Sequence, residues 1–180
     1  MNGLLKQILD WAKTIVIAFV LAMVINTFVV QTYKVQGESM LPTIEHNDRT
    51  IVFKMVDEYD YGDIVVIDSR VDKERTIKDD LLENPLTMLL TQAEDHHLWI
   101  KRVIGKPNDK LEFKNNELYR NGERVEERYI LEHMRNVPDM TVTVPQDHIF
   151  VMGDNRNHSV DSRNIGSIPL SNVLGKVLFK

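Results

Sequence analysis

The chain has no cysteine. Disulfides, thiolate nucleophiles and cysteine-ligated zinc are excluded together, and the fold is indifferent to the redox state of its compartment. A block of lysines and arginines is missing too, and the net charge is −5 over 180 residues. Without that electrostatic footprint no nucleic-acid partner is expected. No His-Glu-x-x-His pattern occurs, and the neighbours His96 and His97 would point their rings apart on a strand. No metal and no cofactor are expected. Internal repeats and low-complexity linkers are absent as well, while 43% hydrophobic and 27% charged residues make a globular composition.

Charge is missing most conspicuously from Thr14 to Tyr33, twenty residues in a row. As a helix this run spans about 30 Å, the thickness of a hydrocarbon core. A cleavable leader would be shorter and end in a small-x-small site, whereas this run ends in Val29-Val30-Gln31-Thr32-Tyr33. A soluble core helix would carry a polar stripe, but only Asn26 and Thr27 interrupt the inner run. The run therefore reads as a membrane anchor over residues 14–33, with a tail at 1–13 and one domain at 34–180. Lys6 and Lys13 flank one end, Lys34 and Arg49 the other, so charge hardly sets the orientation. The shortness of the tail places it in the cytoplasm and the domain outside, in a single-pass arrangement at the cell membrane.

The domain reads as mainly β. Thr32–Gln36, Arg49–Phe53, Ile64–Ile67, Leu98–Ile104, His148–Met152 and Val173–Phe179 are strand-like runs bounded by turn residues, and Val142–Pro145 adds another. Lys110–Lys114, Glu117–Arg120 and Glu123–Glu126 form a meander around Asn115-Asn116 and Asn121-Gly122, the latter a type I′ hairpin signal. Residues 71–97 break the rhythm. Leu82, Leu86, Leu89, Leu90 and Ala93 recur at helical spacing, with Asn84 as N-cap and Pro85 at the first helical position. This is a helical insertion between two strands.

Six residues after the anchor comes Ser39, inside Gly37-Glu38-Ser39-Met40-Leu41-Pro42-Thr43. A serine becomes a nucleophile only beside a base, and the candidates are the six histidines and a desolvated lysine. Lys101 lies in Trp99-Ile100-Lys101-Arg102-Val103-Ile104, where alternation puts Lys101 and Arg102 on opposite faces. One of these two cations must face apolar surroundings. Arginine does not deprotonate, so Lys101 is the candidate base, the alternative being a solvated lysine on an edge strand. A third polar segment, Gly153 to Arg163, follows the apolar run Ile149–Met152. As an EF-hand it fails, because Arg156 and Ser159 stand where a ligand and a glycine belong. It is either a polar loop or the support of a buried lysine.

Taken in order, four segments resemble the boxes of bacterial type I signal peptidases of the short, single-anchor kind. Gly37–Thr43 resembles the nucleophile box, Tyr61-Gly62-Asp63-Ile64-Val65-Val66 the next, Lys101-Arg102-Val103-Ile104-Gly105 the lysine box, and Gly153-Asp154-Asn155-Arg156 through Asp161-Ser162-Arg163 the last. The resemblance implies antiparallel β-sheets forming a partly open barrel behind one transmembrane helix. It also implies a membrane-anchored serine endopeptidase that removes signal peptides from secretory precursors without a cofactor. Ser39 would be the nucleophile and Lys101 the general base. Ser159 would position the lysine amine, Asp161 and Arg163 would form a structural ion pair, and Asp154 would pair with Arg102. The Ser39 backbone N–H would enter the oxyanion hole. Some family members supply a second donor from a serine two residues earlier, where this chain has Gly37, which leaves that donor unassigned. Pro107-Asn108-Asp109 stands where the family often has Pro-Gly-Asp, and asparagine tolerates the left-handed conformation required there.

A signal peptide presents an extended small-x-small stretch just outside the bilayer, suited to strand pairing and shallow apolar pockets. Val35, Met40 and Ile100 are the candidate pocket walls. The expected partners are thus signal peptides and the lipid bilayer; oligomeric state is not legible. Two rivals share the features. A self-cleaving Ser–Lys repressor-like protease would need a DNA-binding domain where this chain has its anchor, and a non-catalytic β-domain that binds exported proteins would lack Ser39 or Lys101.

Overall fold

The structure is a computed structural model and describes residues 3–84 and 97–179. A long helix, α1, runs from Gly3 to Phe28 and is followed after one residue by β1 (Val30–Lys34). The uncharged run is thus not one element. Its last residues are rich in β-branched side chains, and β1 pairs antiparallel with β2 (Arg49–Phe53), from Val30 opposite Phe53 to Lys34 opposite Arg49. Ladder hydrogen bonds and β-propensity take Val30–Tyr33 away from the expected helix. The helix compensates by starting earlier, and its 26 residues span about 39 Å. Its mean hydropathy over the most apolar stretch is 2.2, and apolar side chains face outward all round, including Trp11, Ile15, Phe19 and Ile25. Such a helix fits a membrane crossing.

The remaining elements are β3 (Ile64–Asp68), α2 (Ile77–Leu82), β4 (Leu98–Gly105), β5 (Lys110–Lys114), β6 (Glu117–Arg120), β7 (Glu123–Arg124), β8 (Met140–Thr143), β9 (His148–Met152), α3 (Ser162–Ile165), β10 (Ile168–Pro169) and β11 (Val173–Phe179). Seven strands form one sheet in the order β1-β2-β11-β3-β4-β9-β10, and four form a second in the order β7-β6-β5-β8. Their pairings are antiparallel, so the mainly β reading holds. The meander is built as its turns require. Asn115 and Asn116 have φ of 52° and 62°, Asn121 and Gly122 of 54° and 88°, the doubly left-handed pattern of type I′ turns. Asn108 also takes a positive φ, 70°.

Among its described residues the insertion carries the helix α2, opened by Thr76, whose N–H donates to the Asp79 carboxylate at 3.0 Å. The leucine-spaced stretch from Pro85 onward lies outside the described residues.

Two apolar clusters hold the domain together. Ile104, Leu111, Phe113, Leu118, Val144, Phe150 and Met152 weld the small sheet onto β4 and β9, while Tyr59, Val65, Ile67, Val103, Ile149, Val151 and Ile168 fill the other face. Each such side chain contributes about 1.5–3 kcal/mol on leaving water. The consequence for function is that β4 lies between β3 and β9, buried on both faces. Lys101 is a central-strand lysine opposite Val65, not an edge residue.

Candidate active site

Ser39 is placed by a tight excursion between β1 and β2. The Val35 N–H donates to the Asp48 carbonyl at 2.8 Å and the Asn47 N–H returns to the Val35 carbonyl at 2.9 Å, closing the neck. Within it, Ile44 N–H to Met40 carbonyl (2.9 Å) makes a single helical turn that leaves Ser39 at its start. Asn155 fixes this turn to the last polar segment: its N–H donates to the Ser39 carbonyl at 3.0 Å and its amide to the Glu38 carbonyl at 3.2 Å. Both carbonyls are occupied, whereas the Ser39 N–H donates to nothing among the described residues.

Gly153 admits this approach. A Cβ built there would lie 2.5 Å from the Ser39 carbonyl oxygen and closer still to the Ser159 hydroxyl. No side chain fits between the two segments.

Lys101 reaches the same point from β4. Its Nζ donates to Ser39 Oγ at 2.8 Å, and the Trp99 ring lies 5.6 Å away. The residue is 4% exposed. Burial lowers its pKa to about 8; the charges of Asp161 and Asp154 work against the fall and that of Arg163 assists it. About a tenth of the amine is then neutral at pH 7, against less than a thousandth for an ordinary lysine.

The nearby carboxylates stabilise the ammonium only weakly because each has its own guanidinium. Asp154 accepts from Arg102 Nε at 2.7 Å and Nη2 at 2.6 Å, and Arg102 stacks on the Tyr129 ring at 4.2 Å. Asp161 accepts from Arg163 at 2.8 and 2.9 Å and from the Gly153 N–H at 3.0 Å. Burial opposes the charge of Asp161, but the Arg163 hydrogen bonds and charge prevail and hold its pKa below the usual carboxylate range. Both expected pairs are present. The opposite-face expectation is met in a stronger form, since both cations are buried and only the arginine has a carboxylate.

Ser159 differs from its expected placement. It lies against Gly153, beside the Ser39 carbonyl, but its hydroxyl turns to the Val160 carbonyl at 3.5 Å and to the Asp161 carboxylate. Among the described residues it makes no hydrogen bond to the Lys101 amine. The ionised Asp161 beside it is the stronger acceptor for its O–H. Val35, Met40 and Ile100 do come together, in one apolar cluster with Ile44 and Ile64. Val35 and Met40 are 5% and 2% exposed, so they form a floor more than walls.

Sequence reasoning passed over three contributors. Asn155 and Arg156 lie inside a segment of recognised interest yet had no role assigned; Arg156 is 1% exposed and donates to the Gly153 carbonyl and to Glu127 at 2.6 Å. Thr43 bridges Arg102 and Asp154. Only the crowding of hydrogen-bonding residues after Met152 could have signalled the first two. As for metal, the donor atoms of Asp68, Glu83 and His97 lie within 4.8 Å of one another. Arg70 and Arg75 already engage both carboxylates, so a cation would have to displace them.

A serine hydroxyl against a buried amine of lowered pKa is equipment for acyl transfer, the chemistry of the serine hydrolases. The family described as signal peptidase, peptidase S26, matches residues 8–180. Signal peptidase I S of Bacillus subtilis strain 168 is 38% identical over 172 residues, covering 88% of this chain and 80% of its own length. Probable signal peptidase I-1 of a Synechocystis strain is 36% identical over 171 residues, covering 92% and 78%. A crystal structure of a signal peptidase I from Enterococcus faecalis is similar with a TM-score of 0.47 and 26% identity, over 68% of this chain and 98% of that one. The chain belongs to the signal peptidase family S26 and is a serine endopeptidase.

Proposed function

We propose that this protein removes signal peptides from secretory precursors, with Ser39 as nucleophile and Lys101 as general base. The observation that carries the proposal is the 2.8 Å contact between Ser39 Oγ and a buried Lys101 amine whose pKa is near 8. Neutral Lys101 takes the hydroxyl proton as Oγ attacks the scissile carbonyl. The resulting oxyanion faces the unused Ser39 N–H, while the second donor stays unassigned because Gly37 has no side chain. The lysine ammonium then protonates the departing amine, which leaves as the new N-terminus of the mature protein. An ester joins the signal peptide to Ser39. Water, losing a proton to Lys101, attacks that ester; the proton returns to Oγ and the signal peptide leaves as a carboxylic acid, which gives its proton to the solvent.

In this reading Arg102 and Arg163 engage the carboxylates of Asp154 and Asp161, leaving the amine without an ion-pair partner, and Ser159 acts through Asp161. The apolar floor of Val35, Met40 and Ile100 is where the small side chains before the cleavage point would rest. The helix α1 lies across the bilayer with its N-terminus in the cytoplasm, and the domain from β1 to Lys180 lies outside.

The test is cleavage of a secretory precursor by the full chain in detergent. Wild type should cut it, and Ser39→Ala and Lys101→Ala should not. Undiminished cleavage by either variant overturns the dyad; a wild type that binds precursor without cutting it favours the non-catalytic binding domain.

A further inference from the structure

The apolar helix has two polar residues near its end, Asn26 and Thr27, and both have partners. Thr27 is the single buried residue among the 26 of α1. Asn84, just beyond α2, donates from Nδ2 to the Thr27 hydroxyl at 2.7 Å and to the Asn26 amide oxygen at 3.4 Å. Thr27 and Asn84 are each 1% exposed. Next to them Gln31, in β1, donates to the Glu83 carbonyl at 2.9 Å. From β2's end, Lys54 Nζ donates to the Thr27 carbonyl at 2.9 Å and lies 3.8 Å from Asp80, so a cation caps the negative end of the helix.

The other side of this junction is fastened to the central sheet. The Glu83 carboxylate holds Arg75 at 2.5 Å and His97 at 2.7 Å. Arg75 continues to Asp68 at 3.0 Å, the fully buried last residue of β3. His97 directly precedes β4, which carries Lys101. A short path of hydrogen bonds therefore runs from the helix to the strand bearing the proposed base.

Mechanically such a path is needed. Only Val29 separates α1 from β1, and its two soft dihedrals would let the helix swing. Lipid alone does not set a helix tilt; packing against neighbours does. Polar groups in an apolar span are retained at a penalty unless they are satisfied, and a swing of the helix would leave Thr27 and Asn84 buried without each other.

We propose that Asn84, Thr27 and Lys54 form a latch that locks the tilt of the anchor against the domain, and that Asn84 is thereby a positioning residue for membrane-embedded precursors. The proposal rests on the signal-peptide processing argued above. A peptide in solution turns freely to meet Ser39, whereas a precursor held in the bilayer does not, so only the second substrate feels the latch.

The lack of cysteine makes the test direct. Phe19→Cys on the helix and Glu123→Cys on β7, both exposed, carry spin labels on the full chain in lipid nanodiscs. The distance distribution should be narrow in this parent, broad after Asn84→Ala or Thr27→Val, and narrow again with Thr27→Ser. Equal widths throughout overturn the latch. In the same membranes Asn84→Ala should lower kcat/KM on an embedded precursor about tenfold or more while a soluble cleavage-site peptide stays within about twofold. Parallel losses on both substrates, or none on either, overturn the positioning role. A parent that cleaves neither substrate sinks the proposed function instead, and the label distances still decide the latch.

Discussion

Two buried cations in this protein are treated in opposite ways. Lys101 is 4% exposed and its side-chain partner is a neutral hydroxyl; Arg75, with a side chain 6% exposed, sits among the carboxylates of Asp68, Asp80 and Glu83. Burial lowers the pKa of Lys101 to about 8, while at Arg75 burial is outweighed by the Glu83 and Asp80 hydrogen bonds and the pKa rises. Lys101 is the more deeply buried of the two, and burial is the first cause of its fall. The neighbours let burial prevail there: near Lys101 the carboxylates belong to Arg102 and Arg163, and at the anchor junction no such division exists. One corner keeps a proton mobile, and the other keeps charges fixed.

The comparison breaks most sharply if charge at Lys101 is harmless. Lys101→Arg keeps the charge and removes the ability to shed it, so precursor cleavage should fall by at least about a thousandfold. Retained activity would mean that the neutral amine is irrelevant.

Stability should respond with opposite signs at the two places. Arg75→Met leaves Asp68 to Arg70 alone and Glu83 to His97 and Arg70, and the denaturant midpoint should report a loss of about 1–3 kcal/mol. Lys101→Met should instead stabilise by about 1–3 kcal/mol at pH 7, because a buried ammonium is removed. Between pH 8 and 10.5 the unfolded chain binds the Lys101 proton and the native one does not, so wild-type stability rises with pH there. Wild type should therefore close the gap to Lys101→Met across that window, and a constant gap contradicts the lowered pKa. The smallest effect is kinetic: kcat/KM should rise with an apparent pKa near 8, and Asp161→Asn, removing a charge that holds the value up, should move the midpoint to lower pH.

What could be read from the sequence was whatever a local pattern encodes. Alternation located β2, β4, β9 and β11, Asn121-Gly122 announced its hairpin, and the spaced segments brought Ser39 and Lys101 into consideration together. The end of α1 was misplaced because Val30–Tyr33 is uncharged and β-branched at once, and only the partner strand β2 decides between lipid and ladder. For the insertion, apolar spacing drew attention to the residues after Asn84, while Thr76 and Asp79 open a helix earlier. Ser159 turns to Asp161, and Glu127 comes from a distant loop to Arg156; such partners are set by packing of remote segments.

Gly153 shows what absence accomplishes in a site. The nucleophile turn and the last polar segment meet there at backbone distance, with Ser159 pressed against the same atom. Adding a single methyl group would displace either the Ser39 main chain or Ser159, shifting the reacting oxygen without altering any group that reacts. A survey of reactive side chains passes over this residue, yet it sets the gap that the others share.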